Sequence, residues 1–222
     1  MQVIPPKDQM GLLDRVENIA GLTLGELAYQ HKVKVPANLK REKGWVGQLI
    51  EVALGATAGS KPLQDFPSLG IELKTLPLSY NNTPLETTYV CYAPLTGVSG
   101  VRWELSNVRN KLRKVLWVPI QGERDIPLAE RIIGHGFMWQ PSQEQEAKLK
   151  RDWEELMEMI SLGQVEKINA TYGEVMQLRP KAADGKALTQ AVGENGQIIM
   201  TRPRGFYLRK NFTQDILNHT FY

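Results

Sequence analysis

Asp65, Glu72 and Lys74 are the residues whose types and spacing could do chemistry, and that chemistry would be hydrolysis of a phosphodiester. The segment Gly70-Ile71-Glu72-Leu73-Lys74-Thr75-Leu76 alternates apolar and polar positions, so it reads as a strand with Glu72 and Lys74 on one face. Asp65 lies just upstream, between Lys61-Pro62 and Pro67, where a loop could turn its carboxylate back beside Glu72. Asp65 and Glu72 would offer hard oxygen ligands to magnesium, which keeps several waters and takes only one or two carboxylates. Lys74 would orient or activate the attacking water and face the charge of the transition state.

An acidic residue two before a lysine is also a common accident, and the plain alternative is a salt bridge of little energetic worth. The pattern recurs at Glu146 with Lys148 and at Asp184 with Lys186, but the first falls on a helix surface and the second in a Gly-containing turn. Only Glu72 and Lys74 share a strand. Glu51 adds to the case, because a carboxylate among Trp45, Leu49, Ile50 and Val52 is costly to bury unless paired or bound to metal. It could equally lie on the polar side of its helix, beside Gly47 and Gln48. Gly55 to Lys61 lacks the spacing of a phosphate loop, and Pro62 stands where a hydroxyl would be needed. His31, His135 and His219 are scattered, which argues against a paired-histidine site.

Positive charge points to a polyanionic partner. The run Arg202-Pro203-Arg204-Gly205-Phe206-Tyr207-Leu208-Arg209-Lys210 mixes basic and aromatic side chains with no acid, as a nucleic-acid-contacting loop would. Arg179-Pro180-Lys181 and Lys111 with its neighbours add to it. Taken one by one these clusters also fit a solvated surface. Arg suits bidentate contact with guanine and Lys suits phosphate.

The elements that must position these residues follow from periodicity. Leu12, Val16 and Ile19 recur at helical spacing before Gly21, and Thr23 with Glu26 reads as a capping box for a short helix to about Gln30. A helix over Lys43 to Leu54 places Trp45, Leu49 and Val52 on one stripe, with Gly55 as its stop. Gly70 to Leu78 and Tyr89 to Ala93 read as neighbouring strands joined through Asn81-Asn82-Thr83-Pro84. Ser106 caps a short basic helix before the buried strand Val115 to Ile120. Ser142 opens the strongest helix, ending at Gly163. Strands follow at Glu174 to Leu178, Gln197 to Thr201 and Gly205 to Arg209, with helices at Lys186 to Val192 and Thr213 to His219. Such alternation predicts a mixed α/β fold.

Composition sets bounds on this. A chain of 222 residues, 42% hydrophobic and 23% charged, can bury a full core, and its net charge of +3 permits DNA without demanding it. Cys91 stands alone, which excludes a disulfide framework and a thiolate zinc site and agrees with a reducing, cytoplasmic compartment. No stretch is apolar enough for a membrane span, and the first residues lack the pattern of a signal peptide.

Nearly the whole chain resembles the MutH family of DNA mismatch repair endonucleases. The resemblance rests on Asn38 to Trp45, Glu51 to Pro62, Gln64-Asp65-Phe66, Gly70 to Lys74, Arg109 to Trp117, Arg179 to Ala182 and Pro203 to Phe212. It implies a restriction-endonuclease-like fold, the PD-(D/E)xK nuclease architecture, with a mixed central sheet flanked by helices. It also implies two lobes around a DNA cleft, about 1–105 catalytic and 106–222 recognising DNA. The implied activity is magnesium-dependent nicking of the unmethylated strand at hemimethylated GATC sites by a monomer, activated by MutL after MutS finds a mismatch. By the same resemblance Asp65 and Glu72 are the metal ligands, Lys74 the catalytic lysine, and Glu51 and Lys111 supporting residues of the active site. Lys43, Arg179 and Pro180 match base-reading positions, and Tyr207 the residue near the adenine whose methylation is sensed. Tyr89 stands where members often carry Phe. Two other readings share these residues: a dimeric restriction enzyme cutting both strands, and a DNA-binding module in which Glu72 and Lys74 form only a salt bridge.

Overall fold

A computed structural model of the chain describes residues 3–37, 42, 44–59, 61–181 and 186–221. The fold is mixed α/β, as the alternation of periods predicts, and it divides into two units. The first contains Met1–Leu85 and Lys114–Gln140, the second Glu86–Arg113 and Pro141–Tyr222. A single cut near residue 105 therefore does not describe the division. Each unit is built from two segments, because the chain leaves the first sheet after one strand and returns to it for the next.

In the first unit, α1 (Gln9–Ile19) starts at Asp8, whose side chain accepts from the Gly11 N–H, and buries Leu12, Val16 and Ile19. The capping box of Thr23 and Glu26 is present and begins α2 (Leu24–Gln30). Helix α3 (Trp45–Leu54) ends at Gly55, which takes the left-handed conformation at φ 81°. Its C-terminal Leu54 carbonyl accepts from the Arg15 guanidinium at 2.9 Å. The buried stripe of α3 is Trp45, Leu49, Ile50, Ala53 and Leu54, whereas Val52, expected on it, is exposed. A rotation of 100° per residue puts 45, 49 and 53 in one row and turns 52 to its edge.

Strand β1 (Glu72–Leu78) pairs in parallel with β3 (Val115–Gln121), and β4 (Phe137–Trp139) adds antiparallel to β3. Ile71, Leu73, Leu116 and Val118 face the helices in one core, so the opposite face of the sheet carries Glu72, Lys74 and Trp117. No helix among the described residues is long and apolar enough to cross a membrane.

The second unit holds an antiparallel sheet in the order β2 (Thr88–Tyr92), β8 (Arg204–Leu208), β5 (Met176–Pro180). Tyr89 to Ala93 was expected beside the Gly70 strand, and the structure corrects this. After Leu78 the chain closes a local turn, in which Ser79 and Thr83 hydroxyls lie 2.7 Å apart and the Leu85 N–H donates to the Pro77 carbonyl. The long edge of β1 belongs to β3, leaving β2 to pair with β8. Helix α4 (Asn107–Leu112) is capped by Ser106 as predicted, and α5 (Gln143–Ser161) by the box of Ser142 and Gln145.

Between β5 and β8 the chain forms a hairpin of β6 (Thr189–Val192) and β7 (Ile198–Thr201). A helix was expected over Lys186 to Val192. Seven residues without strong capping are short for a helix, and pairing with Ile198 to Thr201 across the Gly193–Gly196 turn satisfies the same backbone groups. The chain ends in α6 (Lys210–Phe221), which buries Phe212, Thr213, Ile216 and Leu217.

Candidate active site

A tight reversal brings Asp65 to β1. The Phe66 and Ile71 backbones exchange both hydrogen bonds, at 2.9 and 3.3 Å, while Gly70 turns the chain at φ 63°. With Phe66 opposite Ile71, Asp65 falls opposite Glu72. Its Oδ2 accepts from the buried Leu73 N–H at 2.8 Å, between Glu72 and Lys74 of the strand. Its backbone is tied to the segment after α3, where the Thr57 N–H donates to the Asp65 carbonyl at 3.0 Å. Phe66 and Ile71 anchor the reversal in the core.

Glu72 is 1% exposed and Asp65 8% exposed, so two carboxylates are carried almost out of water. Lys74 Nζ donates to Glu72 Oε1 at 2.6 Å. Burial of such a pair is tolerated when the geometry is close. The hard oxygen donors of Asp65 and Glu72 suit a divalent cation. Asp65 Oδ1 accepts no hydrogen bond among the described residues and remains available to such an ion.

Glu51 lies on α3 and is half-buried, alongside Gly47, where its Oε1 would stand 3.9 Å from an added Cβ. Among the described residues no three acidic, histidine or cysteine side chains gather as a metal cluster, so Glu51 is not grouped with Asp65 and Glu72 as a third ligand. Lys111 is half-buried on α4 in the second unit. Lys43 falls outside the described residues.

The second unit assembles the other residues predicted to read DNA. Tyr89 and Tyr207 are directly opposed across β2 and β8, with ring centroids 5.4 Å apart. Arg179 lies exposed on β5, its guanidinium 5.6 Å from the Tyr207 ring centre and donating to the Thr87 hydroxyl at 2.9 Å. Pro180 is exposed beside it and pairs with Arg204. Burial pushes the Tyr207 phenol above its ordinary value, and the Arg179 charge opposes that shift only in part. Tyr207 is therefore protonated at neutral pH.

The same face has further members. Tyr92 meets Tyr89 edge to face at 5.9 Å, and the Lys181 ammonium sits 4.5 Å from the Tyr89 ring centre. Gly205 makes the arrangement possible, because a Cβ there would lie 2.8 Å from Tyr89 Cε2. Asp152, buried on α5, accepts from the Val175 and Met176 N–H groups at 2.6 and 2.9 Å and so fixes the start of β5. No motif of the sequence singles out Asp152.

A family profile described as "DNA mismatch repair enzyme MutH" matches residues 54–152, a span that includes Asp65, Glu72, Lys74 and Lys111. The chain is also 62% identical to the DNA mismatch repair protein MutH of Vibrio cholerae serotype O1 (strain ATCC 39541), over 97% of this chain and 98% of that protein. The chain belongs to the MutH family. Other MutH proteins are similarly close: that of Serratia proteamaculans is 59% identical over 98% of this chain and 96% of its own length, and that of Salmonella typhi 58% over 98% and 94%. A MutH chain is a DNA endonuclease of mismatch repair, one that works with a divalent metal. The pair of Asp65 and Glu72 fits that requirement by the oxygen chemistry of its donors.

Proposed function

We propose that this MutH-family chain nicks the unmethylated strand of DNA at hemimethylated GATC sites, with magnesium held by Asp65 and Glu72. The observation that carries this reading is the folding of Asp65 onto β1 by the Phe66–Ile71 reversal, beside the 2.6 Å pair of Glu72 and Lys74. Magnesium, when bound, supplies electrophilic stabilisation of the phosphoryl group. Asp65, steadied by the Leu73 N–H, and Glu72, paired with Lys74, would hold it. Lys74 orients the attacking water and carries positive charge to the site where the pentacovalent phosphorus gathers negative charge. Glu51 supports the site, and for Lys111 the same supporting role rests on the MutH resemblance alone.

Recognition falls chiefly to residues of the second unit in this proposal. Arg179 and Pro180 read base edges together with Lys43, and Tyr207, packed against Tyr89, stands at the adenine whose methyl group is sensed. A protonated phenol both donates and accepts hydrogen bonds, so it can meet an unmethylated adenine amino group that a methyl would block. The fold of this proposal is that of the restriction-endonuclease-like nucleases, with the first unit carrying the chemistry. The protein acts as a monomer in the cytoplasm, stimulated by MutL after MutS has found a mismatch.

The test is cleavage of unmethylated, hemimethylated and fully methylated GATC duplexes in magnesium, with each strand labelled and Glu72→Ala as control. Nicks confined to unmethylated strands and lost in the variant are the expected result. Concerted cutting of both strands by a dimer would point instead to a restriction enzyme.

A further inference from the structure

The hairpin β6–β7 presents an apolar face to solvent. Burial alternates along both strands: Ala191 and Thr201 are buried, while Leu188, Ile198 and Met200 are 58%, 57% and 57% exposed. Met200 is opposed to Gln190, and Ile198 to Val192. Three exposed aliphatic side chains on one face of a two-stranded ribbon are unusual without a partner.

Glu166 fixes which way that face looks. It receives the Thr201 hydroxyl on one oxygen, and the Arg204 guanidinium reaches its other oxygen at 3.3 Å. Residues 201 and 204 thus point to the same side, although strict alternation would oppose them. The segment Arg202-Pro203 absorbs the extra residue. Ile198 and Met200 alternate with Thr201, and Gly205 and Tyr207 alternate with Arg204. By this alternation the exposed face of the hairpin, a two-stranded sheet of its own, and the Tyr207 side of β8 both lie away from Glu166.

We propose that this hairpin face is a second DNA contact, gripping the duplex that flanks the recognition sequence, with Ile198, Met200 and Leu188 laid against the groove walls. The proposal rests on the reading of the β5–β8 face as DNA-binding. Charge favours DNA as the occupant: Lys186 and Arg202 bracket the aliphatic strip, and no acidic residue occurs in Lys186–Val192 or Ile198–Arg204. Glu194, in the turn, is engaged by Lys167. Aliphatic side chains between basic ones suit a groove, whose sugar edges are apolar and whose rims are phosphate. At about 3.3 Å per residue, Ile198 lies at most about 30 Å along the ribbon from Tyr207, or roughly nine base-pair steps.

Length dependence tests this. Binding is measured by fluorescence anisotropy on duplexes carrying one GATC with flanks of about 4 or about 15 base pairs, for the parent, Ile198→Asp/Met200→Asp, Met200→Lys and Arg179→Ala. The parent binds the long duplex more tightly. The double Asp variant loses about tenfold on the long duplex and less than about twofold on the short one, since its carboxylates oppose flanking phosphates. Met200→Lys raises affinity for the long duplex and leaves the short one unchanged, whereas a surface that docks only protein would show no length-dependent change. Equal losses at both lengths, no loss at either, or a defect seen only when an activating protein is added would each overturn the proposal. If Arg179→Ala spares short-duplex binding while the double Asp variant still abolishes the long-duplex gain, the base-reading assignment fails and the hairpin contact stands.

Discussion

Asp65 has two duties that one pair of substitutions can separate. Its Oδ2 accepts the buried Leu73 N–H at 2.8 Å, a structural bond, while its charge serves the chemistry proposed at Glu72 and Lys74. Asn at this position keeps an oxygen acceptor and gives up the charge. A charge-assisted hydrogen bond contributes about 1 kcal/mol more than a neutral one, so Asp65→Asn should cost about 1 kcal/mol. Ala removes the acceptor and strands the Leu73 N–H, at a cost of about 2–4 kcal/mol. For a chain of this size those costs correspond to melting temperatures lower by about 2–4 °C for Asn and about 5–15 °C for Ala. Cleavage should fall at least about hundredfold in both, because an amide is a poor replacement for an anionic ligand of a hard cation. Differential scanning calorimetry with and without magnesium, beside single-turnover nicking, reads both effects. The parent should gain melting temperature on adding the metal, and the Asn variant should gain less. An Asn variant that cuts within about tenfold of the parent would refute the metal-holding role. One that melts as low as the Ala variant would refute the division of duties.

Other expectations are simpler. Lys74→Met should lower kcat by at least about hundredfold while magnesium-dependent DNA affinity stays within about threefold, and a parallel fall in affinity would contradict its action on water. Tyr207→Phe should narrow the ratio of nicking rates on unmethylated and methylated strands; an unchanged ratio would remove Tyr207 from methyl sensing. Because burial raises the Tyr207 phenol, its stabilising contribution is complete below the ordinary tyrosine value near pH 10 and is lost as pH rises beyond it. Ultraviolet titration should accordingly lose a late-ionising phenol in Tyr207→Phe. Asp152→Ala strands two buried N–H groups at the start of β5 and should cost about 2–6 kcal/mol, measured by chemical denaturation. Gly205→Ala puts a methyl group 2.8 Å from Tyr89 Cε2, and should cost about 1–3 kcal/mol as the ring is displaced.

What the sequence determines by itself is local. Alternation along residues 70–76 set Glu72 and Lys74 on one face of a strand, and the capping residues Thr23, Ser106 and Ser142 each begin a helix where side-chain chemistry says they should. Those signals need only the period of the chain and hydrogen bonds spanning three residues. The long MutH-like stretches named the residues of the site without saying how they meet. Tertiary structure decided what depends on partners distant in sequence. It paired Tyr89 with Tyr207, more than a hundred residues away, when the periodicity suited a neighbour of β1 equally well. Within Lys186–Val192, where the periodicity suits a helix, it made Thr189–Val192 a strand, since four mixed residues take whichever form satisfies their backbone, and β7 supplied the bonds. It also buried Asp152 and required a bare backbone at Gly205, because a carboxylate or a missing methyl has meaning only beside the amide or the ring it meets.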